Sequence, residues 1–196
     1  MQLAKILGVK KVIALASSKE KTDLVTSLGA DVAINYSNGN WTDQVREATG
    51  GKGLDIVLEA ASDAVGEESF KLAAPFGRIV VFGAKNIHDT MSSEQIRQIV
   101  YKNQSLIGFN VPTLLPEQIR ECVPRLLNLI AQGKLRLFAN NSFPLSRVKE
   151  AFDALSSRRT IGKLLLVFRQ TAQNRPDRHL PRYNRAVLCL RFLERD

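Results

Sequence analysis

The sequence predicts an α/β fold built on a doubly wound parallel sheet. Short and almost wholly apolar runs alternate with segments whose apolar residues recur at helical spacing. Parallel strands that are buried on both faces have such continuous apolar runs. Each connection is long enough to hold a helix, and strand–helix–strand order at this spacing gives right-handed crossovers with helices on both faces.

The first half of the chain follows this alternation of strands and helices closely. Four strands are expected at residues 12–16, 32–36, 54–60 and 78–83, and helices at 20–28, 41–49 and 66–74. Gly29 closes the first of these helices, since glycine readily ends a helix. The run from Pro75 to Gly77 is expected to form the turn into the fourth strand.

After residue 83 the spacing of the elements changes. A helix is expected at 94–101, a strand at 105–110 and a long helix from Pro116 to Gly133, in which Pro124 predicts a kink or a break. Ser146 is a candidate N-cap for a helix with Val148 and Phe152 in its apolar stripe. The last strand of the pattern is expected at 163–168. The segment beyond residue 169 is rich in arginine and does not continue the pattern.

Composition excludes several classes of protein. The chain has 196 residues, 44% of them hydrophobic and 24% charged, which is typical of a soluble globular protein. Two cysteines, Cys122 and Cys189, and two histidines, His88 and His179, argue against a disulfide scaffold and a metal site. No apolar run reaches the ~18 residues that span a bilayer, and the amino terminus does not resemble a secretory signal. A cytoplasmic protein is expected, without a membrane partner.

The net charge is +9. A basic balance can indicate nucleic-acid binding, but aromatic residues are not interleaved with the basic ones here. A solvated surface with a basic tail is the favoured interpretation, and nucleic acid is the disfavoured one.

Six collinear stretches resemble one known family. The order of segments is similar to the second half of medium-chain dehydrogenases/reductases, in the zinc-independent quinone oxidoreductase and zeta-crystallin branch. The similarity runs from about residue 2 to 168, through residues 2–8, 16–21, 28–36, 49–55, 77–83 and 143–163.

The resemblance implies an incomplete Rossmann-type sheet. It implies a nucleotide-binding domain at 1–133, a helix–strand return segment of the catalytic domain at 134–168, and a basic tail at 169–196. The family's glycine-rich phosphate turn precedes the helix in which this sequence begins. The run from Gly50 to Gly53 follows a helix and precedes a strand, so it is expected to form only a turn. Weak cofactor binding and little turnover are therefore expected.

The end of the first predicted strand carries the cofactor hypothesis. Ser17 and Ser18 stand there without a carboxylate, and a strand tip of this kind suits the 2′-phosphate of NADPH better than the 2′-hydroxyl of NADH. The resemblance assigns Lys21 and Tyr36 to that phosphate, with Ser17 or Ser18 as hydroxyl partner and Arg158 as an added cation. Alternatives stay open: Ser18 as a helix N-cap, Lys19 and Lys21 as exposed helix-start charges, and Tyr36 as a cover for the sheet edge.

The nicotinamide side of the site is expected at later strand ends. Phe82 and Gly83 end the fourth strand, and Phe109 resembles a second nicotinamide contact of the family. No nucleophile–base pair stands out, and hydride transfer needs none because the cofactor carries the chemistry. No catalytic residue is therefore predicted. Asp55 and Glu59 are interpreted as strand ends or ion-pair members.

The leading hypothesis is an NADPH-dependent oxidoreductase that reduces quinones or enones without metal, and that forms a homodimer through the strand at 105–110. The first alternative is a non-enzymatic truncated isoform that dimerises with, or regulates, an intact paralogue. The second is a nucleic-acid-binding protein that uses the basic surface.

Overall fold

The computed structural model describes residues 1–60, 64–82, 91–139, 141–157, 160–168 and 186–190. The chain divides into two compact units, Met1–Leu135 and Arg136–Asp196. None of the helices within the described residues is long and apolar enough to cross a membrane.

The first unit alternates strands with helices, as the sequence predicts. Its strands are β1 (Ile13–Ala16), β2 (Val32–Asn35), β3 (Leu54–Glu59), β4 (Ala73–Phe82) and β5 (Ser105–Phe109). Its helices are α1 (Gln2–Ile6), α2 (Lys19–Ser27), α3 (Trp41–Ala48), α4 (Ala64–Lys71), α5 (Ser93–Tyr101) and α6 (Pro116–Ala131).

All strand pairs of the first unit are parallel, which confirms the predicted α/β class. β1 pairs with β2, and β4 lies between β3 and β5. The strands form two separate sheets, β1-β2 and β3-β4-β5, and no pairing joins β1 to β3 in the described part of the chain. The sheet is therefore interrupted between β1 and β3.

One apolar cluster holds the two sheets of the first unit together. Its buried members are Ile34, Trp41, Val45 and Leu72, which we call the joining cluster. Side chains from both sheets pack against it, among them Leu15 and Leu54. A second cluster, of Val57, Phe70, Ala73 and Ile79, lies between the three-stranded sheet and α4.

The second unit contains β6 (Asn141–Pro144), α7 (Val148–Ser156), β7 (Leu164–Phe168) and β8 (Ala186–Leu190). β6 and β7 are parallel, and β8 pairs antiparallel with β7. Ala151, Leu164 and Leu166 form its core. The segment 186–190, expected to stand apart from the pattern, is thus a strand of this unit.

Tertiary contacts override the predicted end of α4. The helix ends at Lys71, and Ala73 and Ala74 belong to β4 rather than to a helix. The buried Gln104 amide donates to both of their carbonyl oxygens, at 2.9 and 3.0 Å. These bonds hold the start of β4 in extended form next to the start of β5.

α6 continues through Pro124 as one helix, so the chain does not break there. The expected cap at Ser146 is wrong. Ser146 lies in a 3-10 turn, and the residue before α7 is Arg147. The Arg147 guanidinium donates instead to the Glu150 carboxylate, so an ion pair stands at this helix start where a serine cap was expected.

Candidate functional site

The carboxyl ends of β1 and β2 are tied together by two hydrogen bonds. The Tyr36 N–H donates to the Ala16 carbonyl oxygen at 3.0 Å. The Ser37 hydroxyl donates to the Ser17 carbonyl oxygen, also at 3.0 Å. Adjacent parallel strands end at the same edge of their sheet, so these bonds bring Ser17 and Tyr36 to one place, as the sequence predicts.

Ser18 is the N-cap of α2. Its backbone is extended, at φ −152° and ψ 162°, and its hydroxyl oxygen accepts a hydrogen bond from the Lys21 N–H at 3.3 Å. Serine is favoured at this position because its side chain satisfies a backbone donor of the first helical turn. The structure therefore confirms the capping alternative for Ser18. A capping hydroxyl still has a hydrogen that it can donate.

Lys21 and Lys19 have different surroundings, although both lie in the first turn of α2. The Lys21 ammonium donates to the Ser17 hydroxyl at 3.2 Å and is partly buried. The Lys19 ammonium pairs with Asp23 at 3.0 Å, and its side chain is 85% exposed. Lys21 therefore reaches over the end of β1, whereas Lys19 belongs to a solvated pair on the helix surface.

The end of β1 combines one cation with neutral hydroxyl groups. The Ser17, Ser18 and Ser37 hydroxyls lie around it, and Glu20 is exposed on α2. The amino terminus of α2 adds the positive end of the helix dipole, which favours a nearby anion. Such a set can bind one phosphate group, with Lys21 as its charged donor and Ser17 as a hydroxyl donor.

The Tyr36 side chain is half-buried and packs against the joining cluster. This contact agrees with the alternative in which the ring covers apolar side chains at the end of the sheet. Tyr36 follows β2 directly, and its backbone N–H bonds to the Ala16 carbonyl oxygen, so its backbone lies at the same sheet edge as Ser17.

Phe82 and Phe109 meet at the carboxyl ends of β4 and β5. They are register partners in the parallel pair, and paired residues of parallel strands project from the same face. Phe109 is 46% exposed. The two predicted nicotinamide contacts are thus neighbours. Gly83, Arg158 and His88 lie outside the described residues.

Ser37, whose hydroxyl bridges the two strand ends, was not among the predicted site residues. The available signal was its position: Ser37 directly follows Tyr36 and begins a polar segment after an apolar strand. Asn35 supports this turn, since its side-chain oxygen accepts from the Ser37 N–H at 3.0 Å.

Asp55 and Glu59 differ in burial although both belong to β3. Asp55 is exposed, and Glu59 is 5% exposed. A side-chain carbon on Gly66 would lie 3.1 Å from the Glu59 carboxyl carbon. Glycine at position 66 therefore lets α4 approach this buried carboxylate. No three histidine, cysteine, aspartate or glutamate side chains cluster as metal ligands within the described ranges.

Comparison with known proteins places the chain in a family. Residues 1–132 match the model of the zinc-binding dehydrogenase family. A quinone oxidoreductase of Pseudomonas aeruginosa is 32% identical over 169 residues, which cover 85% of this chain and 51% of that protein. The chain spans about half the length of the curated relatives it matches.

Two solved structures resemble the fold closely. Escherichia coli quinone oxidoreductase complexed with NADPH has a TM-score of 0.75 and 26% identity, and the match covers 84% of this chain and 51% of that one. An NAD-dependent alcohol dehydrogenase has a TM-score of 0.72 and 31% identity, over 84% of this chain and 46% of that one. The chain therefore belongs to the zinc-binding dehydrogenase family, in the quinone oxidoreductase-like branch of the medium-chain dehydrogenase/reductase superfamily.

Proposed function

We propose that the chain provides the NADPH-binding part of an oxidoreductase that reduces a quinone or an enone by hydride transfer. One observation carries the proposal: the Lys21 ammonium lies 3.2 Å from the Ser17 hydroxyl at the end of β1. In a sheet of this type, the end of that strand faces the adenosine ribose of a dinucleotide.

The chemistry of this strand end favours a phosphate over a bare ribose hydroxyl. NADH is selected by a carboxylate that accepts from the 2′-hydroxyl, whereas the 2′-phosphate of NADPH is bound by cations and hydroxyl groups. Ser17 and Lys21 supply the second combination. The two solved relatives name different cofactors, NADPH and NAD, so the preference proposed here is argued from these side chains.

The bound cofactor would supply the hydride, and the protein would position it. Phe82 and Phe109 offer an apolar surface at the ends of β4 and β5, where the nicotinamide end of the cofactor is expected. We propose that the reaction proceeds without zinc, although the family is described as zinc-binding. The support is compositional, since the whole chain has two cysteines and two histidines.

The test compares two lysines of the same helical turn. NADPH and NADH are titrated against the chain, and against Lys21→Glu and Lys19→Glu, by isothermal calorimetry. A charged hydrogen bond is worth about 1.5–3 kcal/mol, so Lys21→Glu should weaken NADPH binding by roughly 10- to 150-fold. Binding of NADH should change far less.

Lys19→Glu is the matched control, because it introduces the same change of charge at a side chain that is paired with Asp23. It should leave the preference for NADPH in place. Equal binding of the two cofactors by the unaltered chain would refute the NADPH assignment, and equal effects of the two substitutions would refute the role of Lys21.

We also propose a homodimer formed through β5. The strand is at the edge of the three-stranded sheet, and all five of its residues are exposed. An exposed, apolar edge strand favours pairing with another strand, and a second copy of β5 presents the same edge.

A further inference from the structure

Three asparagines, Asn35, Asn38 and Asn40, lie in close succession at the end of β2 and before α3. Asparagine is a thermolabile residue, because the backbone nitrogen of the next residue can attack its side-chain carbonyl carbon. The attack needs a side chain that is free to turn, a next N–H that is not held in a hydrogen bond, and little bulk on the next residue. The three asparagines differ in all of these conditions.

Asn35 does not meet them. Its side-chain oxygen accepts a hydrogen bond from the Ser37 N–H at 3.0 Å. The next N–H is that of Tyr36, and it donates to the Ala16 carbonyl oxygen at 3.0 Å. The aromatic side chain of Tyr36 adds bulk beside the nitrogen that would have to attack, so Asn35 is protected.

Asn40 is protected in the same way. Its side-chain oxygen accepts from the Gln44 amide at 2.9 Å. The next N–H belongs to Trp41 and donates to the Asn38 carbonyl oxygen at 3.3 Å. Trp41 is also the first residue of α3 and is buried in the joining cluster, which fixes the backbone at this position.

Asn38 meets all three conditions. It is exposed, and its side chain makes no hydrogen bond to any residue that the structure describes. The next N–H, that of Gly39, also donates to no described group. Gly39 has no side chain, and a carbon added there would meet nothing within 4 Å. A cyclic imide formed between the two residues would therefore have room.

We propose that Asn38 is a site of spontaneous deamidation, which creates a carboxylate beside the carboxyl ends of β1 and β2. The Gly39 nitrogen forms a bond to the Asn38 side-chain carbonyl carbon. The bond from that carbon to the amide nitrogen breaks, and ammonia leaves with the proton of the Gly39 N–H. Water then opens the cyclic imide at either of its carbonyl groups, which leaves aspartate or isoaspartate at position 38.

The new carboxylate lies next to the candidate phosphate-binding set. Ser37 directly precedes Asn38, and its hydroxyl donates to the Ser17 carbonyl oxygen at 3.0 Å. The Asn38 N–H donates to the Asn35 carbonyl oxygen at 3.2 Å, which holds residue 38 close to the end of β2. A negative charge here opposes binding of a phosphate group to Ser17 and Lys21. This consequence rests on the proposed function, whereas the deamidation does not.

The first test follows the intact chain during incubation in warm, mildly alkaline buffer. One proteolytic peptide contains all three asparagines, and its fragmentation in a mass spectrometer locates the change from amide to acid. The change should accumulate at Asn38, with isoaspartate as part of the product, and not at Asn35 or Asn40. It should become faster as the pH rises, because the attacking nitrogen must lose its proton.

Gly39→Ala is the matched control for the reaction. The φ of Gly39 lies outside the left-handed region, and the added methyl group would meet no atom within 4 Å, so the variant should fold. The methyl group crowds the attacking nitrogen while Asn38 itself is unchanged. Most of the mass change at Asn38 should therefore be lost in this variant.

The second test measures the effect of the charge on cofactor binding. Asn38→Asp reproduces the main product, and Asn38→Ala is its uncharged counterpart that cannot deamidate. Asn38→Asp should weaken NADPH binding by roughly two- to fivefold, as expected for one exposed charge. Added salt should reduce the effect. Binding of NADH should be unchanged, and Asn38→Ala should bind both cofactors as the unaltered chain does.

The outcomes separate the modification from the cofactor assignment. Deamidation that is faster at Asn35 or Asn40, or that Gly39→Ala leaves unchanged, would overturn the site. Equal NADPH binding by Asn38→Asp and Asn38→Ala would overturn the effect of the charge. Equal binding of NADPH and NADH by the unaltered chain would refute the proposed function, while the mass change at Asn38 would still establish the modification.

Discussion

The pair Lys19 and Lys21 shows what a single side chain contributes to the site. Both are cations in the first turn of α2, yet one lies over the end of β1 and the other over the surface of the helix. Sequence predicts the Ser18 cap, because capping depends on local backbone geometry. It cannot decide which lysine contacts Ser17, because that depends on how α2 packs against β1.

Asp31 links three parts of the first unit. Its carboxylate accepts from the Val12 N–H at 2.7 Å, and it pairs with the Lys5 ammonium of α1 at 3.0 Å. The Val12 hydrogen bond and then the Lys5 contact hold the pKa of Asp31 below its ordinary value. A carboxyl group with a lowered pKa stabilises the folded state only while it is ionised.

This linkage predicts how Asp31→Asn responds to pH. Asp31 should contribute its full stabilisation above its pKa in the unfolded chain, and lose it as the pH falls through the lower pKa of the folded state. The free energy of unfolding in urea should therefore be lower for Asp31→Asn than for the unaltered chain at neutral pH, and this difference should shrink in acid. Asp43→Asn, in an exposed pair with Arg46, is the control. A difference that does not change with pH would contradict the prediction.

At the scale of elements, the turn between α3 and β3 shows why one glycine tolerates a side chain less well than its neighbour does. Gly51 and Gly53 both have a positive φ, at 75° and 84°. A side-chain carbon on Gly53 would lie 2.9 Å from the backbone of Ala74, whereas one on Gly51 would meet nothing within 4 Å. The turn is as the sequence predicts, but only the structure shows the close approach of β4.

Gly53→Ala should destabilise the chain more than Gly51→Ala does. Both substitutions carry the cost of a left-handed backbone, and Gly53→Ala adds a clash that should cost about 1–3 kcal/mol more. The free energy of unfolding in urea measures the difference. Equal losses would mean that β4 moves away from the turn at no cost.

The elements that sequence analysis missed lack a local signal. β6 has the sequence Asn-Ser-Phe-Pro, which contains no apolar run, and it is a strand because it pairs with β7. Ala73 and Ala74 favour a helix by composition, but the Gln104 amide binds their carbonyl oxygens. Non-local hydrogen bonds decide both cases, whereas the apolar runs of β1 to β3 are already specific to strands.

For the whole molecule, the alternation of strands and helices was enough to predict the fold class. It could not show that the five strands of the first unit form two sheets. The apolar pattern of a strand does not indicate which other strand pairs with it. The sequence likewise predicted which residues lie at the strand ends, namely Ser17, Tyr36, Phe82 and Phe109. Their grouping into one set at β1-β2 and another at β4-β5 follows from sheet topology.

Association through β5 can be tested by placing a charge in that edge. Ile107→Lys adds a cation to an exposed strand, and charged side chains oppose strand pairing. Sedimentation velocity should show a dimer for the unaltered chain and a monomer for Ile107→Lys. Val100→Lys on α5, where the side chain is 67% exposed, should remain a dimer. A dimer that survives Ile107→Lys would exclude the β5 interface.

The joining cluster also gives the protein an optical property. Trp41 is the only tryptophan of the chain, and it is 7% exposed within the cluster that connects β1-β2 with β3-β4-β5. Indole emission shifts to longer wavelength when water reaches the ring, so ultraviolet fluorescence of the unlabelled protein reports on this one layer. A separation of the two sheets would therefore shift the emission of Trp41 to longer wavelength. The second unit has no indole and contributes no tryptophan emission of its own.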